Sequence, residues 1–418
     1  MRTYLPVLCA GLIACASVAH AQSAAPLTLD ESLQRVLLFS PALKAKAESI
    51  GGSRGDLQQS GLMPNPELSF EAENILGNGS AQGVKGAEVT LGVAQTVELG
   101  GKRGARIAVA NRQVDAAALE YAAVGLDLVR DTTVAWAEAV AADEELRLAQ
   151  EQKDLATEVL QSVTRRVAAA AENAIQKSKA EVALASAKVE LSKAERNKLA
   201  SLKALSGLWG DTAPAESIDA GGFFAVEVPA ESATLDNNPN LKLLEAGVDV
   251  ARANLEVERA NAVPDVTFQA GLRDSRDADE QSFLAGVSIP FPAFNRNQGA
   301  ILKAGHEVTR AEQEKHATVN TLGLDLLKAK NALETAMAEI DSFDRDILPA
   351  AEKAFAQARK GYQAGKFPYL EVLDAQRTLF DVRAQRIAAL KEYHVAKADF
   401  DRLTGKHLSL ITVSGEKK

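Results

Sequence analysis

The chain has 418 residues, of which 46% are apolar, 25% charged and only 5% aromatic. That is too apolar for a disordered chain, and the scarcity of aromatics disfavours large globular cores and favours long helices packed through small residues. Lys and Arg number 47 against 56 Asp and Glu, and the net charge of -9 argues against a nucleic-acid binder, which needs a basic face.

Arg2 precedes an apolar stretch over residues 5–18 that ends in Ala19-His20-Ala21, a small-x-small site ahead of Gln22. This predicts a secretory signal peptide over residues 1–21, with an apolar part too short to span a membrane. Leu12-Ile13-Ala14-Cys15 also fits a lipobox, so lipidation at Cys15 stands beside cleavage after Ala21. Both readings export the chain. Cys9 and Cys15 are the only cysteines, which excludes a zinc–cysteine site or a disulfide framework further along. No later stretch reaches the ~18 apolar residues of a transmembrane helix.

The remaining sequence is written twice. Ser40-Pro41-Ala42-Leu43 recurs as Asn238-Pro239-Asn240-Leu241, and Asn65-Pro66-Glu67-Leu68 as Val263-Pro264-Asp265-Val266, both 198 positions on. Gly92-Val93 matches Gly286-Val287, and Leu208-Trp209-Gly210 matches Leu403-Thr404-Gly405. Two repeats are expected, 22–220 and 221–418, joined near Gly221-Gly222. Each begins with a helix (42–61; 241–262), continues through a Pro-led segment and two strands, and ends in a long helical stretch (105–208; 298–403). One helix of about 100 residues would be about 150 Å long, so each stretch must fold back. Gly361, Gly365 and Pro368 mark the second fold-back; 168–173 is the expected site of the first.

The strands alternate. Leu68, Phe70 and Ala72 alternate with Ser69, Glu71 and Glu73; Val89, Leu91 and Val93 with Thr90, Gly92 and Ala94. Val266, Phe268, Ala270 and Leu272 follow the same rule, as do Phe283, Ala285, Val287 and Ile289. Period two fits a half-buried soluble hairpin or a membrane strand with one face to lipid and one to water. Four strands cannot close a barrel, and open edges are not tolerated in lipid, so the membrane reading requires several chains to share one barrel. In the helices, Leu373, Phe380 and Ile387 recur every seven residues, the spacing of a coiled-coil seam.

This layout resembles the TolC-like outer-membrane efflux factors over essentially the whole chain beyond the leader. The resemblance is carried by Leu29-Asp30-Glu31-Ser32-Leu33, by the paired Pro41 and Pro239, and by Gly361-Tyr362-Gln363-Ala364-Gly365 followed by Leu370-Glu371-Val372-Leu373-Asp374-Ala375-Gln376. Val97-Glu98-Leu99-Gly100-Gly101-Lys102-Arg103 is most similar to the CzcC branch, which serves heavy-metal cation pumps. The resemblance implies a mainly helical fold with a small β part: a homotrimer with a twelve-strand barrel in the outer membrane and a helical tunnel across the periplasm. It also implies an inner-membrane pump of the resistance-nodulation-division (RND) type and a periplasmic membrane-fusion adaptor as partners. Divalent zinc, cobalt, cadmium or nickel would be the cargo. A multidrug channel, or a soluble periplasmic coiled-coil adaptor, is the alternative.

No catalytic constellation, cofactor motif or resident metal site is legible. His306 and His316 are ten apart, not the three or four that pair ligands on one helix face. His394 continues the seven-residue series and reads as a helix-interface side chain. Glu371 and Asp374, three apart, share a helix face just after the turn. They either complement the helix dipole or, as the resemblance implies, form a cation-favouring gate at the periplasmic mouth. Gly365, Lys366 and Leu370 resemble the tip that meets the adaptor. Gly100 and Gly101, with Pro290 and Pro292 in the second repeat, resemble the strand-to-helix passages. The first turn, residues 165–175, lacks these landmarks.

Overall fold

The computed structural model describes residues 26–79, 82–215, 217–228 and 234–411. The expected leader, Cys15 included, lies outside them. Thr28 caps α1 (Leu29–Phe39) by accepting from the Glu31 N–H at 3.2 Å. Pro41 then opens α2 (Pro41–Ser60), where a missing N–H costs nothing. There follow β1 (Glu67–Glu73), β2 (Glu88–Val97), α3 (Lys102–Ala168) and α4 (Ala174–Gly207). The same order recurs with α5 (Pro239–Asn261), β3 (Val266–Ser275), β4 (Glu280–Ser288), α6 (Gln298–Ser342), α7 (Leu348–Gln363) and α8 (Tyr369–Thr404). The 67 residues of α3 make a rod of about 100 Å.

The second long stretch is not uniform. Between α6 and α7 lies one wide turn of π-helix, Phe343–Ile347, closed by the Leu348 N–H on the Phe343 carbonyl. Pro349 explains it: proline has no N–H and its ring crowds the carbonyl one turn back, which a wider turn relieves.

The four strands form one antiparallel sheet in the order β1-β2-β3-β4. Its register aligns Leu68 with Val93, Ala270 and Ala285, and Phe70 with Leu91, Leu272 and Phe283. All the expected apolar positions therefore share one face. That face is uncovered: Leu68, Phe70, Leu91, Phe268, Leu272, Phe283 and Val287 are each more than half exposed. No helix packs on it, and β1 and β4 are free edges among the described residues.

The main core lies midway along the helices. Trp136, Leu205, Phe223, Leu333, Leu390 and Tyr393 are fully buried there. His394 is buried among them, its ring stacked 5.2 Å from Phe223 and its Nε2 2.9 Å from the Phe223 carbonyl. The link 221–228 between the repeats is thereby strapped onto α8, and Tyr393 adds a second tie by accepting from the Glu227 N–H at 2.7 Å. A smaller cluster of Val163, Ala180, Tyr362, Tyr369, Val372 and Leu373 closes the far tip.

Candidate functional site

The tip of the second repeat is built by a Schellman turn. The Lys366 N–H donates to the Gly361 carbonyl at 2.9 Å, and the Gly365 N–H to the Tyr362 carbonyl at 3.0 Å. This places Gly365 at φ +73°, where a Cβ is unfavourable. Gly361 is required for a different reason. A Cβ there would lie 2.1 Å from the Phe367 ring, which folds back over it. Lys366 is exposed at the apex. Leu370 is half exposed and borders a groove of about 530 Å³ with Ile175, Val182 and Leu373.

Glu371 and Asp374 follow in the first turns of α8, both exposed on one face, while Val372 and Leu373 between them and Gln376 beyond are buried. Neither carboxylate has an ion-pair partner among the described residues. They are solvated acids beside a tip, available to a neighbour or an ion.

The first repeat's tip falls where expected and is more regular than its sequence. Ala171 donates to the Arg166 carbonyl at 2.9 Å and Ala170 to the Val167 carbonyl at 3.0 Å, the same Schellman turn. Ala170 takes the left-handed position at φ +55°. Asn173 then caps α4 by accepting from the Gln176 N–H at 3.2 Å. The two tips touch through Arg166, which donates to the Tyr362 carbonyl at 3.0 Å and lies 4.5 Å from that ring's centre.

At the other end the passages carry the expected glycines and prolines. Gly100 and Gly101 lie at φ +70° and +76°, and a Cβ on Gly100 would meet the Val263 Cβ at 2.6 Å. The passage is clamped by Asp265, which accepts from the Leu99 N–H at 3.0 Å and from Lys102 Nζ at 2.6 Å. Glu98 pairs with Arg106 beside it. Pro290 and Pro292 lie between β4 and α6, and Asn297 ties that passage to α5 through the Glu258 carbonyl at 2.8 Å. Both passages therefore rest on the end of α5.

The sheet's second face is polar and acidic. Glu67, Glu71, Glu73, Glu88 and Glu280 lie on it, with Arg273 as its one cation among the described strand residues. Glu73 and Glu88 stand directly opposite each other, an arrangement that repels. Arg273 spans them at 3.4 and 3.2 Å and donates to Thr90 Oγ1 at 3.1 Å. Sequence pattern marked the polar face but not this bridge, which needs the register of three strands.

A third cluster was not foreseen. Asp401 is buried on α8 and faces Lys406 at 3.4 Å, His407 at 3.5 Å and Lys397 at 3.8 Å. Burial alone would raise its pKa, but these three neighbours hold it below the usual carboxylate value. Burial lowers His394, and the Phe223 carbonyl opposes that only in part. No trio of His, Cys, Asp and Glu among the described residues is arranged to hold a metal ion.

Comparison with known proteins fits this geometry. The family profile "Outer membrane efflux protein" matches residues 32–211 and 231–406, one match to each repeat. The cobalt-zinc-cadmium resistance protein CzcC of Cupriavidus metallidurans is 32% identical over 92% of this chain and 91% of its own. The nickel-cobalt-cadmium resistance protein NccC of Alcaligenes xylosoxydans xylosoxydans is 29% identical over 74% of this chain and 70% of its own. Among solved structures, CusC, described with transmembrane channel formation, superposes with a TM-score of 0.76 at 19% identity, covering 90% of this chain and 91% of that one. The Campylobacter jejuni CmeC outer membrane channel gives 0.76 at 15% identity, covering 90% and 85%. With two family matches, a relative 32% identical along nearly its full length, and an uncovered apolar sheet at the end of long paired helices, the chain belongs to the outer membrane efflux protein family.

Proposed function

We propose that this chain is the outer-membrane channel of a tripartite efflux system that exports divalent heavy-metal cations, zinc, cobalt, cadmium or nickel, from the periplasm. The observation that carries the channel is the sheet: one face mostly apolar and bare, the other polar, with two free edges among the described residues. A bare apolar face needs lipid, and free edges in lipid need partner strands. Three copies of the four strands would close a twelve-strand barrel. The kinship with CzcC and NccC supports the metal cargo. The repeats divide at the 221–228 strap, after an exported leader over residues 1–21.

In the assembly, Glu371 and Asp374 of each copy face the axis at the periplasmic mouth and form a cation-favouring gate. Two charges 4 Å apart interact by about 1 kcal/mol in bulk water and by about 4 at an effective dielectric of 20, so a narrow mouth amplifies their selectivity. Gly365, Lys366 and Leu370 form the tip that docks a periplasmic adaptor, and an inner-membrane RND pump supplies the energy. The chain itself catalyses no chemical step.

Purified chain in planar bilayers tests the gate. We expect a trimeric mass in detergent, cation-selective conductance, and reduced selectivity in Glu371→Gln/Asp374→Asn. Unchanged reversal potential and unchanged block by divalent cations in that variant would contradict the gate assignment.

A further inference from the structure

The apolar face of the sheet changes character at one end. Its rows follow the register: Leu68, Val93, Ala270 and Ala285, then Phe70, Leu91, Leu272 and Phe283, then Ala72, Val89, Asp274 and Gln281. The last row lies farthest from the helices, where β1 joins β2 and β3 joins β4. Asp274 and Gln281 are both exposed there. Polar groups on this face are met differently at its two ends. Near the helices Gln95, opposite Phe268, donates its amide within the chain, to the Pro64 carbonyl at 3.0 Å and the Thr96 carbonyl at 2.9 Å. At the far end the Asp274 side chain accepts only one bond among the described residues, a long one from Gln281 Nε2 at 3.3 Å. A carboxylate has about four acceptor sites, so most of its capacity is unspent.

The pairing continues one step past the strands. The Arg276 N–H donates to the Ala87 carbonyl at 3.1 Å, which sets Arg276 two positions beyond Asp274 and draws the β1–β2 connection against it. Arg276 and, in that connection, Lys85 are exposed, and neither pairs with a carboxylate among the described residues. Arg273, by contrast, is held on the other face by Glu73 and Glu88. Two unpaired cations at the border of an apolar face complement the phosphates of a lipid. The adjoining turn carries Asp277 and Asp279, also exposed. With Asp274 these acids would repel a phosphate unless a divalent cation stood between them. They do not form a cation site alone, since no trio of His, Cys, Asp and Glu among the described residues is arranged for one, so phosphate oxygens would complete the shell. A neighbouring copy would pair along β1 and β4, the edges, and leave the end of the inner strand β3 open.

We propose that this rim recognises a phosphorylated glycolipid of the outer leaflet. Its acyl chains lie on Leu272 and Phe283, Arg276 and Lys85 bind its phosphates, and Asp274 shares a divalent cation with them. The site rests on the reading that the apolar face lies in the outer membrane, and the test separates the two.

The full chain, purified in detergent, is titrated with fluorescent diphosphoryl lipid A in magnesium and in EDTA, with unlabelled phosphatidylglycerol as competitor. We expect saturable binding that magnesium strengthens and phosphatidylglycerol displaces poorly. Arg276→Gln and Lys85→Gln should each weaken it about fivefold. Asp274→Asn should reduce the gain from magnesium. Arg276→Lys, which keeps the charge, and Lys328→Gln, on an exposed helix face, should retain binding. Melting temperatures matched to the unsubstituted chain show that the variants fold. Unchanged affinity in Arg276→Gln, Lys85→Gln and Asp274→Asn, or displacement by phosphatidylglycerol as effective as by unlabelled lipid A, would overturn the site. Flotation with phosphatidylethanolamine–phosphatidylglycerol vesicles tests the membrane reading separately. A chain that floats without rim-dependent binding loses this proposal alone; one that does not float loses the membrane reading as well.

Discussion

Gly365 and Ala170 hold the same place in two Schellman turns. Each is the left-handed residue that ends the inbound helix of its repeat, at φ +73° and +55°. One has no Cβ to pay for that conformation and the other does. A left-handed L-residue costs about 1–2 kcal/mol, which glycine avoids at an entropic cost of about 0.5–1 kcal/mol on folding. Ala170→Gly should therefore stabilise the tip by about 0.5–1 kcal/mol, and Gly365→Ala should destabilise it by about 1 kcal/mol. Thermal melts and hydrogen exchange at the two tips read this directly. Equal effects of the same sign would contradict the shared turn.

Acid should loosen the strap between the repeats. The folded pKa of His394 lies below its ordinary 6.5 because the ring is buried. The unfolded chain then binds the proton more readily, so this contribution to stability is complete above about 6.5 and is lost as the pH falls toward the folded value. Lys397 and Glu227 are the charged groups nearest the ring and partly cancel each other. Asp401, held low by His407, Lys406 and Lys397, loses its own contribution only at lower pH. The melting temperature should fall as the pH drops below about 6.5, and His394→Gln should flatten that step. A variant with an unchanged slope would remove His394 from the account.

Arg273 should set the charge of the sheet's polar face. Arg273→Gln leaves Glu73 and Glu88 opposed without a bridge. In the proposed barrel this adds one net negative charge per copy. Cation over anion permeability should rise, and stability should fall by up to about 1 kcal/mol, the scale of a cross-strand charge pair. A reversal potential equal to that of the unsubstituted channel in a salt gradient would contradict the placement of this face on the lumen.

The parts legible in the sequence were those written in local chemistry. The second tip was marked by Gly361, Gly365 and Pro368, and the strands by an apolar–polar alternation whose period of two matches the pleat. The first tip was located from the fold-back, yet its turn type was hidden because alanine stands where glycine is the usual signal. Pro349 sits inside an otherwise helical pattern, and its π-turn was not foreseen. What no local pattern carries is contact across the chain. Arg166 reaches Tyr362, 196 positions away, and Arg130 reaches Asp399, 269 away at 2.7 Å. The roles of Glu371 and Asp374 depend on neighbours outside one chain, so neither sequence spacing nor the fold of a single copy decides them.

The most direct measurement is a susceptibility panel on a strain lacking this chain, complemented by the unsubstituted gene. Zinc, cobalt, cadmium, nickel, copper and silver would be tested beside detergents and antibiotics. Hypersensitivity confined to divalent metals and restored on complementation is expected, and it names the exported ion. Sensitivity to drugs and detergents with normal metal tolerance would contradict the metal assignment and point to a multidrug channel.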